Sequence, residues 1–305
     1  MSKAIVQVEN LFKHYGKIKA VDGISLEVFR GEIFGLVGPN GAGKTTTIEC
    51  IEGLRKSDSG KLKVLGLNPI SSGRLLRNSI GIQMQQSELP GRVKVWEAID
   101  LFSSFYSKTI DYDSLIKDLG LDVKKGAFFS KLSGGQKQRL FIALSLINDP
   151  ELVFLDELTT GLDPQARRAT WDLITGINKK GKTIFLTTHY MEEAEKLCDR
   201  VAIIDHGKII ALDTPKKLIS GIKIENKLIF SAAGDFRLEA LKSIKSISRY
   251  EKSGDNIIIF GRDNKMVRDA VNFLVKKNID FYDLKTEQAT LEDVFLTLTG
   301  KEIRS

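Results

Sequence analysis

The residues with the plainest chemistry are Gly38-Pro39-Asn40-Gly41-Ala42-Gly43-Lys44-Thr45, a glycine-rich octet followed by Thr46. The octet fits G-x-x-x-x-G-K-[ST]. Its glycines let consecutive backbone N–H groups turn toward a polyphosphate, and a helix starting at Lys44 aims its positive dipole end at the same charge. Lys44 supplies a cation for the terminal phosphates and Thr45 a hydroxyl for an accompanying magnesium ion. A second group, Leu152-Val153-Phe154-Leu155-Asp156-Glu157, is an apolar run ending in two carboxylates. Ligand crevices lie at the carboxyl ends of parallel strands, where adjacent side chains diverge. Asp156 can then orient the metal's shell while Glu157 polarises an attacking water as general base. On its own such a pair is a solvated strand end; downstream of a phosphate loop it reads as catalytic. The third group, Leu132-Ser133-Gly134-Gly135-Gln136, precedes a helix through Leu140, Ile142, Ala143, Leu146 and Ile147. Alone it says only that Ser133 caps a helix beside two permissive glycines.

Together and in this order, the three groups make the chain resemble the ATP-binding cassette ATPases of transporters, over about residues 4–220. The resemblance implies ATP and Mg²⁺ as ligands and assigns further residues. Tyr15 is similar to the aromatic that stacks on adenine, with Phe12 as a rival. Gln85 is similar to the glutamine that contacts Mg²⁺ and water and links to the helical subdomain; Gln83 and Gln86 are neighbours, and the spacing after Ile80-Gly81 favours Gln85. Ser133 to Gln136 match the signature loop and Asp163 the aspartate of the D-loop. Asp163 with Pro164 also reads as a helix N-cap with proline at the first position, and both roles can coexist. His189 matches the switch histidine near the γ-phosphate, although a lone histidine after a buried strand is also a structural residue. One departure is Leu158 where many relatives carry proline, followed by Thr159-Thr160 in place of Thr-Ser.

No arginine stands beside the phosphate loop to neutralise transition-state charge in cis. The resemblance implies that the signature loop of a second copy supplies the missing donors, so that ATP bridges a nucleotide-dependent homodimer. It also implies a separate transmembrane permease subunit and a place at the cytoplasmic face of the membrane. The closing segment Leu291-Glu292-Asp293-Val294-Phe295-Leu296-Thr297-Leu298-Thr299-Gly300 resembles the ending of ATPase subunits of multidrug, antibiotic-resistance and sodium-efflux exporters. As plain structure it is an amphipathic helix with Leu291, Val294, Phe295 and Leu298 inward. The rival readings are a soluble cassette ATPase acting on ribosomes or DNA, an importer ATPase, and a nucleotide-binding regulator without turnover.

These residues need a scaffold. The chain has 305 residues and 34.0 kDa, with 42% hydrophobic and 28% charged residues, which excludes disordered and fibrous classes. No apolar run reaches the length of a membrane helix; Val201 to Leu212 is broken by Asp205, His206 and Lys208. The start, Met1 to Asn10, lacks a signal pattern, and a membrane role is expected to pass through a partner. The formal charge of +7 is spread thinly, with 15 basic and 13 acidic residues over 221–305, and no basic tail points to nucleic acid. Cys50 and Cys198, without nearby histidines, read as packing residues rather than a zinc site or disulfide.

The patterning is α/β. Val6 and Val8, then Ile24, Leu26 and Val28, alternate as strands of an antiparallel β subdomain. Ile33 to Val37 leads into the glycine loop and a helix. Strands at Leu152–Leu155 and Thr183–Thr187, separated by a helix over Pro164–Lys179, space out as a parallel sheet. The resemblance makes this sheet P-loop NTPase-like. From Gln85 to Ser133 the sequence turns helical, with Val95, Ile99, Phe102 and Tyr106 on one stripe and Leu115, Ile116 and Leu119 in a second segment, an inserted helical subdomain bounded at about 86–150. After a nucleotide-binding domain over 1–220, residues 221–305 read as a small α+β domain. Its expected order is strand 227–231, helix 237–244, a hairpin over 253–256 into strand 257–260, helix 267–276, strand 281–284 and closing helix 291–298. That βαββαβ order is ferredoxin-like.

Overall fold

The structure is a computed structural model, and it describes residues 3–85, 88–222, 225–232, 238–261 and 265–300. In chain order the elements are β1 (Ala4–Tyr15), β2 (Ile18–Phe29), β3 (Ile33–Val37), α1 (Lys44–Glu52), β4 (Ser59–Val64), α2 (Gly73–Arg77), β5 (Ile80–Gln83), α3 (Val95–Ser103), α4 (Tyr112–Asp118), α5 (Gly134–Leu146), β6 (Leu152–Asp156), α6 (Pro164–Lys179), β7 (Thr183–Thr188), α7 (Met191–Leu197), β8 (Arg200–Asp205) and β9 (Lys208–Asp213). Then come α8 (Pro215–Gly221), β10 (Asn226–Ala232), β11 (Arg249–Ser253), β12 (Asn256–Gly261), α9 (Lys265–Lys276), β13 (Phe281–Glu287) and α10 (Leu291–Thr299). The contacts divide the chain into two compact units that part between Pro215 and Lys216.

In the first unit, β2, β1 and β4 form an antiparallel sheet in that order, and β5, β6, β7, β3, β8 and β9 form the central sheet. The central strands β3, β6 and β7 are buried at every residue, as strands covered on both faces must be. Phe34, Phe185 and Phe154 are in register on adjacent strands, with centroids 5.4 and 5.6 Å apart, and make a fully buried aromatic row. The central sheet is mixed rather than parallel throughout: β9 runs antiparallel to β8. His206 (φ 47°) and Gly207 (φ 77°) close a two-residue turn between them, whereas a parallel neighbour needs a crossover of roughly a dozen residues.

The insertion between β5 and β6 contains α3, α4, two single 3₁₀ turns and the start of α5. Its first stripe is shorter than expected. Val95 and Ile99 are buried, but α3 ends at Ser103 and Tyr106 lies beyond it, half-buried like Phe102. The Ser104 hydroxyl donates to the Leu101 carbonyl at 2.6 Å, an alternative partner that ends the helix. Leu115, Ile116 and Leu119 are buried as expected. Both cysteines are buried and unpaired, and burial pushes the Cys50 thiol up to about 11.

The second unit carries an antiparallel sheet in the order β11-β12-β10-β13. Leu228, Phe230, Ile257 and Ile259 pack on Leu241, Met266, Ala270 and Leu274. Between β10 and β11 the described helical piece is a 3₁₀ segment, Leu238–Ser243, rather than an α-helix from Arg237, which lies outside the described residues. Ser243 donates to Ala240 O at 2.8 Å, again a hydroxyl competing for the backbone. In α10 Leu291, Val294 and Phe295 are buried, but Leu298, on the same stripe in the last turn, is 47% exposed and not part of the buried face. Among the described residues no helix is long and apolar enough to cross a membrane.

The aromatic row gives the fold its most direct test. Phe185→Ala removes the ring that touches both others, and is expected to lower the unfolding free energy by about 3–5 kcal/mol in urea titrations that follow the first unit.

Candidate functional site

The phosphate loop is held by close backbone approaches that a side chain would forbid. β3 delivers the chain to Gly38, where a Cβ would stand 2.2 Å from Ile204 O, and at Gly43 (φ 103°) a Cβ would stand 2.1 Å from Ala20 O. Gly207 N donates to Ala42 O and Asp22 N to Gly207 O, both at 2.9 Å, so β2 and the β8–β9 turn clamp the loop from two sides. No side chain caps α1 at Gly43. The first-turn amides and the positive helix end therefore face the concavity made by residues 38–43, a geometry suited to phosphate.

Eight side chains from four segments meet at the end of the central strands. The Lys44 ammonium is 4% exposed; it donates to Gly38 O at 2.9 Å and Pro39 O at 3.1 Å, and lies 3.0 Å from Glu157 Oε1. Glu157 Oε2 accepts from Gln85 Nε2 at 2.9 Å and from the Thr160 hydroxyl at 3.4 Å. His189 Nδ1 is 3.3 Å from the same oxygen but not aligned as a hydrogen bond, and it is a buried nitrogen without a partner. Asp156 accepts a short hydrogen bond from the Thr187 hydroxyl, and the Thr45 hydroxyl is bonded to it as well.

The two carboxylates diverge as expected, by a device that strand alternation does not contain. Glu157 has φ 48°, in the left-handed region that a non-glycine residue seldom adopts. Its N–H is shared between the Thr187 carbonyl and hydroxyl, each at 3.1 Å, which holds the strained turn. Thr187 thus braces both acids. The sequence signal for it is a pair of hydroxyls, Thr187 and Thr188, closing the apolar run Ile184–Leu186.

Burial raises the Asp156 carboxyl above the ordinary range, an effect that the Thr187 and Thr45 hydroxyls oppose and the Glu157 charge reinforces. Burial raises the Glu52 carboxyl still more, with Asp156 and Glu49 adding to it. Thr45 hydroxyl, Asp156 carboxylate and Gln85 amide oxygen are hard donors of the kind that suit a magnesium ion. Among the described residues no cluster of three His, Cys, Asp or Glu side chains could hold a metal alone, so an ion here also needs substrate oxygens.

The other expected residues fall into separate places. Of the three glutamines, Gln85 meets Glu157, Gln83 is buried and donates to Met84 O at 2.7 Å, and Gln86 lies outside the described residues. Tyr15 ends β1, is 41% exposed, and has the Lys13 and Arg55 cations 5.6 and 5.5 Å from its ring. Phe12 instead packs on Gly23. Asp163 caps α6, accepting from Ala166 N at 2.8 Å with Pro164 next in line. Ser133 and Gln136 bond each other's backbone at 3.3 and 3.0 Å in a capping box at the head of α5. Ser133 and Gly134 are exposed, and no described hydrogen bond or ion pair ties 133–136 to residues 38–45; Gly135 lies instead against Ala166.

Comparison with known proteins shows the family. The pattern of the family described as ABC transporter matches residues 21–160. The Nod factor export ATP-binding protein I of Ralstonia nicotianae is 38% identical, over 99% of this chain and 96% of its own. That of Rhizobium meliloti is 39% identical, over 98% and 89%. Among solved structures, CbiO1 of Clostridium perfringens, part of an ABC transporter complex, is 29% identical with a TM-score of 0.65, covering 70% of this chain and 90% of its own. A dimeric bacterial ABC transporter cassette is 25% identical with a TM-score of 0.60, covering 68% and 98%.

The buried Glu52 has a pH consequence. Its folded value lies above its unfolded one, so the folded chain keeps a proton that the unfolded chain loses, and stability falls as pH rises from the ordinary carboxylate range through the folded value. Glu52→Gln removes that dependence. The variant is expected to melt a few degrees higher than the parent at neutral pH, with the difference shrinking as the solution is acidified toward about pH 4, as followed by calorimetry.

Proposed function

We propose, from the premise that this chain belongs to the ATP-binding subunits of ABC transporters, that it powers a membrane exporter by binding ATP between two copies of itself and hydrolysing it. The observation that carries the proposal is Glu157, with one carboxylate oxygen on Lys44 and the other facing Gln85 and His189. The amides of residues 38–43 and the Lys44 ammonium bind the β and γ phosphates, and Thr46 extends the polar edge of that cradle. Tyr15 stacks on the adenine. Glu157 takes the proton of a water that Gln85 orients; the water oxygen bonds to the γ-phosphorus, the bond to the bridging oxygen breaks, and ADP leaves. His189 stands beside the phosphoryl group being transferred. Thr45, with Asp156 and Gln85 around it, would hold a Mg²⁺ ion, which when bound would supply positive charge to the phosphate oxygens.

The exposed signature segment, Ser133 to Gln136, completes the pocket of a second copy, its helix N-terminus facing the γ-phosphate. Asp163, near that segment through Ala166 and Gly135, belongs to the same interface. The dimeric structure of a related cassette supports a two-fold arrangement. ATP favours the closed dimer and hydrolysis reopens it, a population shift that the helical insertion passes to a separate permease at the cytoplasmic face of the membrane. The names of the relatives support export over import and over action on ribosomes or DNA, and no nucleic-acid partner is expected. The strand order β11-β12-β10-β13, antiparallel at every pair, supports reading the second unit as a ferredoxin-like accessory domain that regulates or strengthens the dimer.

Glu157→Gln is expected to lower phosphate release on the order of 10²–10⁴-fold while an ATP-bound dimer accumulates in size-exclusion chromatography; wild-type turnover in that variant removes Glu157 from the role of base. Lys44→Ala acts one step earlier. Its Mg-ATP affinity by titration calorimetry is expected to fall about ten- to hundredfold, because a charge-assisted contact to phosphate is lost.

A further inference from the structure

Outside the reacting group, the most completely engaged buried charge is Glu193 in α7. It is 2% exposed, and its Oε1 accepts from the Thr159 hydroxyl and from the Trp171 indole N–H, each at 2.9 Å. The three residues belong to three segments: Thr159 to the loop leaving Glu157, Trp171 to α6 and Glu193 to the helix following His189. We propose that Glu193 is a positioning residue for hydrolysis, a latch that holds the loop carrying Glu157 and the turn carrying His189 in one arrangement through Thr159 and Trp171.

The latch rests on the reading of Glu157 as the base, and geometry gives it reach. Thr159 is fully buried and Leu158 nearly so, and the turn between them and α6 closes with Thr160 N on Glu157 O and Leu162 N on Thr159 O, both at 3.2 Å. A shift of Thr159 therefore moves Glu157, whose left-handed backbone is not intrinsically favoured and needs support from both sides. Thr187 holds it on the sheet side and Thr159 on the loop side. At the other end Glu193 follows the switch closely. The Thr188 hydroxyl also bonds it, and Tyr190 N donates to Thr188 Oγ1 at 3.0 Å. The Arg167 guanidinium lies 4.2 Å from the Tyr190 ring centroid, and that ring is 4.1 Å from the His189 ring. One face of α6, Arg167 and Trp171, thus grips both Tyr190 and Glu193 on either side of the turn into α7.

Packing alone does not account for a carboxyl here. Burial raises the Glu193 carboxyl against the pull of its three donors, so a costly group is retained where it holds the Thr159, Thr188 and Trp171 donors together. Those hydrogen bonds fix the relative position of two catalytic segments that are not hydrogen-bonded through His189 itself. The same contacts give a defined exit to a loop that carries Leu158 where many relatives carry proline: Thr159 is anchored on Glu193.

The test uses the full chain and reads kcat and KM for ATP separately, with Mg-ATP affinity by calorimetry. Thr159→Val, near-isosteric, and Trp171→Phe, which also gives up part of the indole's volume, each remove one donor, and Glu193→Leu removes the acceptor. Each is expected to lower kcat about tenfold or more, while KM and the dissociation constant stay within about twofold of wild type, because none of Thr159, Trp171 and Glu193 makes a described hydrogen bond or ion pair with residues 38–45. Thr159→Val combined with Glu193→Leu should be no worse than Glu193→Leu alone, and Glu193→Gln, which keeps an accepting oxygen, should restore kcat to within about twofold of wild type. An unchanged kcat in Thr159→Val and Trp171→Phe overturns the latch, as does a loss of ATP affinity in step with kcat; should Glu193→Leu not fold, these two variants decide. Glu157→Gln is run beside them. Wild-type turnover that Glu157→Gln abolishes leaves the functional reading standing whatever the latch variants do, whereas a wild type that releases no phosphate overturns both.

Discussion

A carboxylate and an ammonium, each almost fully removed from water, face one another at 3.0 Å in the pair Glu157–Lys44. Neither charge is tolerable there alone, since an unpartnered buried ion costs several kcal/mol. The surrounding chain is arranged so that both are met by more than each other. Lys44 is shared by the carbonyls of Gly38 and Pro39, and Glu157 by Gln85, with His189 and Thr160 alongside. Those residues leave the ends of β3, β5, β6 and β7, the adjacent core strands of one sheet, so the sheet order itself assembles the site. The aromatic row across β3, β7 and β6 sets the spacing of those ends from below.

Rigidity at the phosphate loop comes from backbone rather than from side chains. Gly38 and Gly43 let the loop approach Ile204 and Ala20 at distances a Cβ would not survive, and the β8–β9 turn closes onto Ala42 through Gly207. Glu157 is held in a left-handed turn by Thr187 from one side and by the loop of Thr159 and Thr160 from the other. A preorganised set of dipoles and charges of this kind needs no rearrangement when charge develops on a transferring phosphoryl group. The signature segment is the exception: its capping box satisfies its own termini while Ser133 and Gly134 remain exposed.

How much of this was legible depended on whether the cause was local. The glycine octet, the apolar strand ending in Asp156-Glu157, and the helix from Pro164 are written in contiguous residues, and they stand where the sequence placed them. So does the choice of Gln85, because its spacing from a short strand is a local quantity. The antiparallel β9 was missed because two turn residues, His206 and Gly207, and not the strand, decide its direction. The early ends of α3 and of the 3₁₀ segment at Leu238–Ser243 follow from serine hydroxyls competing for carbonyls, where the apolar stripe alone argues for longer helices. Leu298 shows the reverse error, a periodicity carried one turn beyond the buried face of α10. Thr187 and Glu193 were invisible for a different reason: their partners lie 31 and 34 residues away, and no spacing rule connects them.

The central claim is that a pocket contributed by one molecule is completed by the signature segment of another, and mixing two disabled chains tests it most directly. Glu157→Gln spoils the pocket and Ser133→Arg the signature, so each variant alone should be inactive. In a mixed dimer one composite site is doubly damaged and the other is intact. Phosphate release is therefore expected to reappear on mixing, in proportion to the mixed dimer formed. Mixed dimers that assemble yet stay as inactive as their parents would contradict the account.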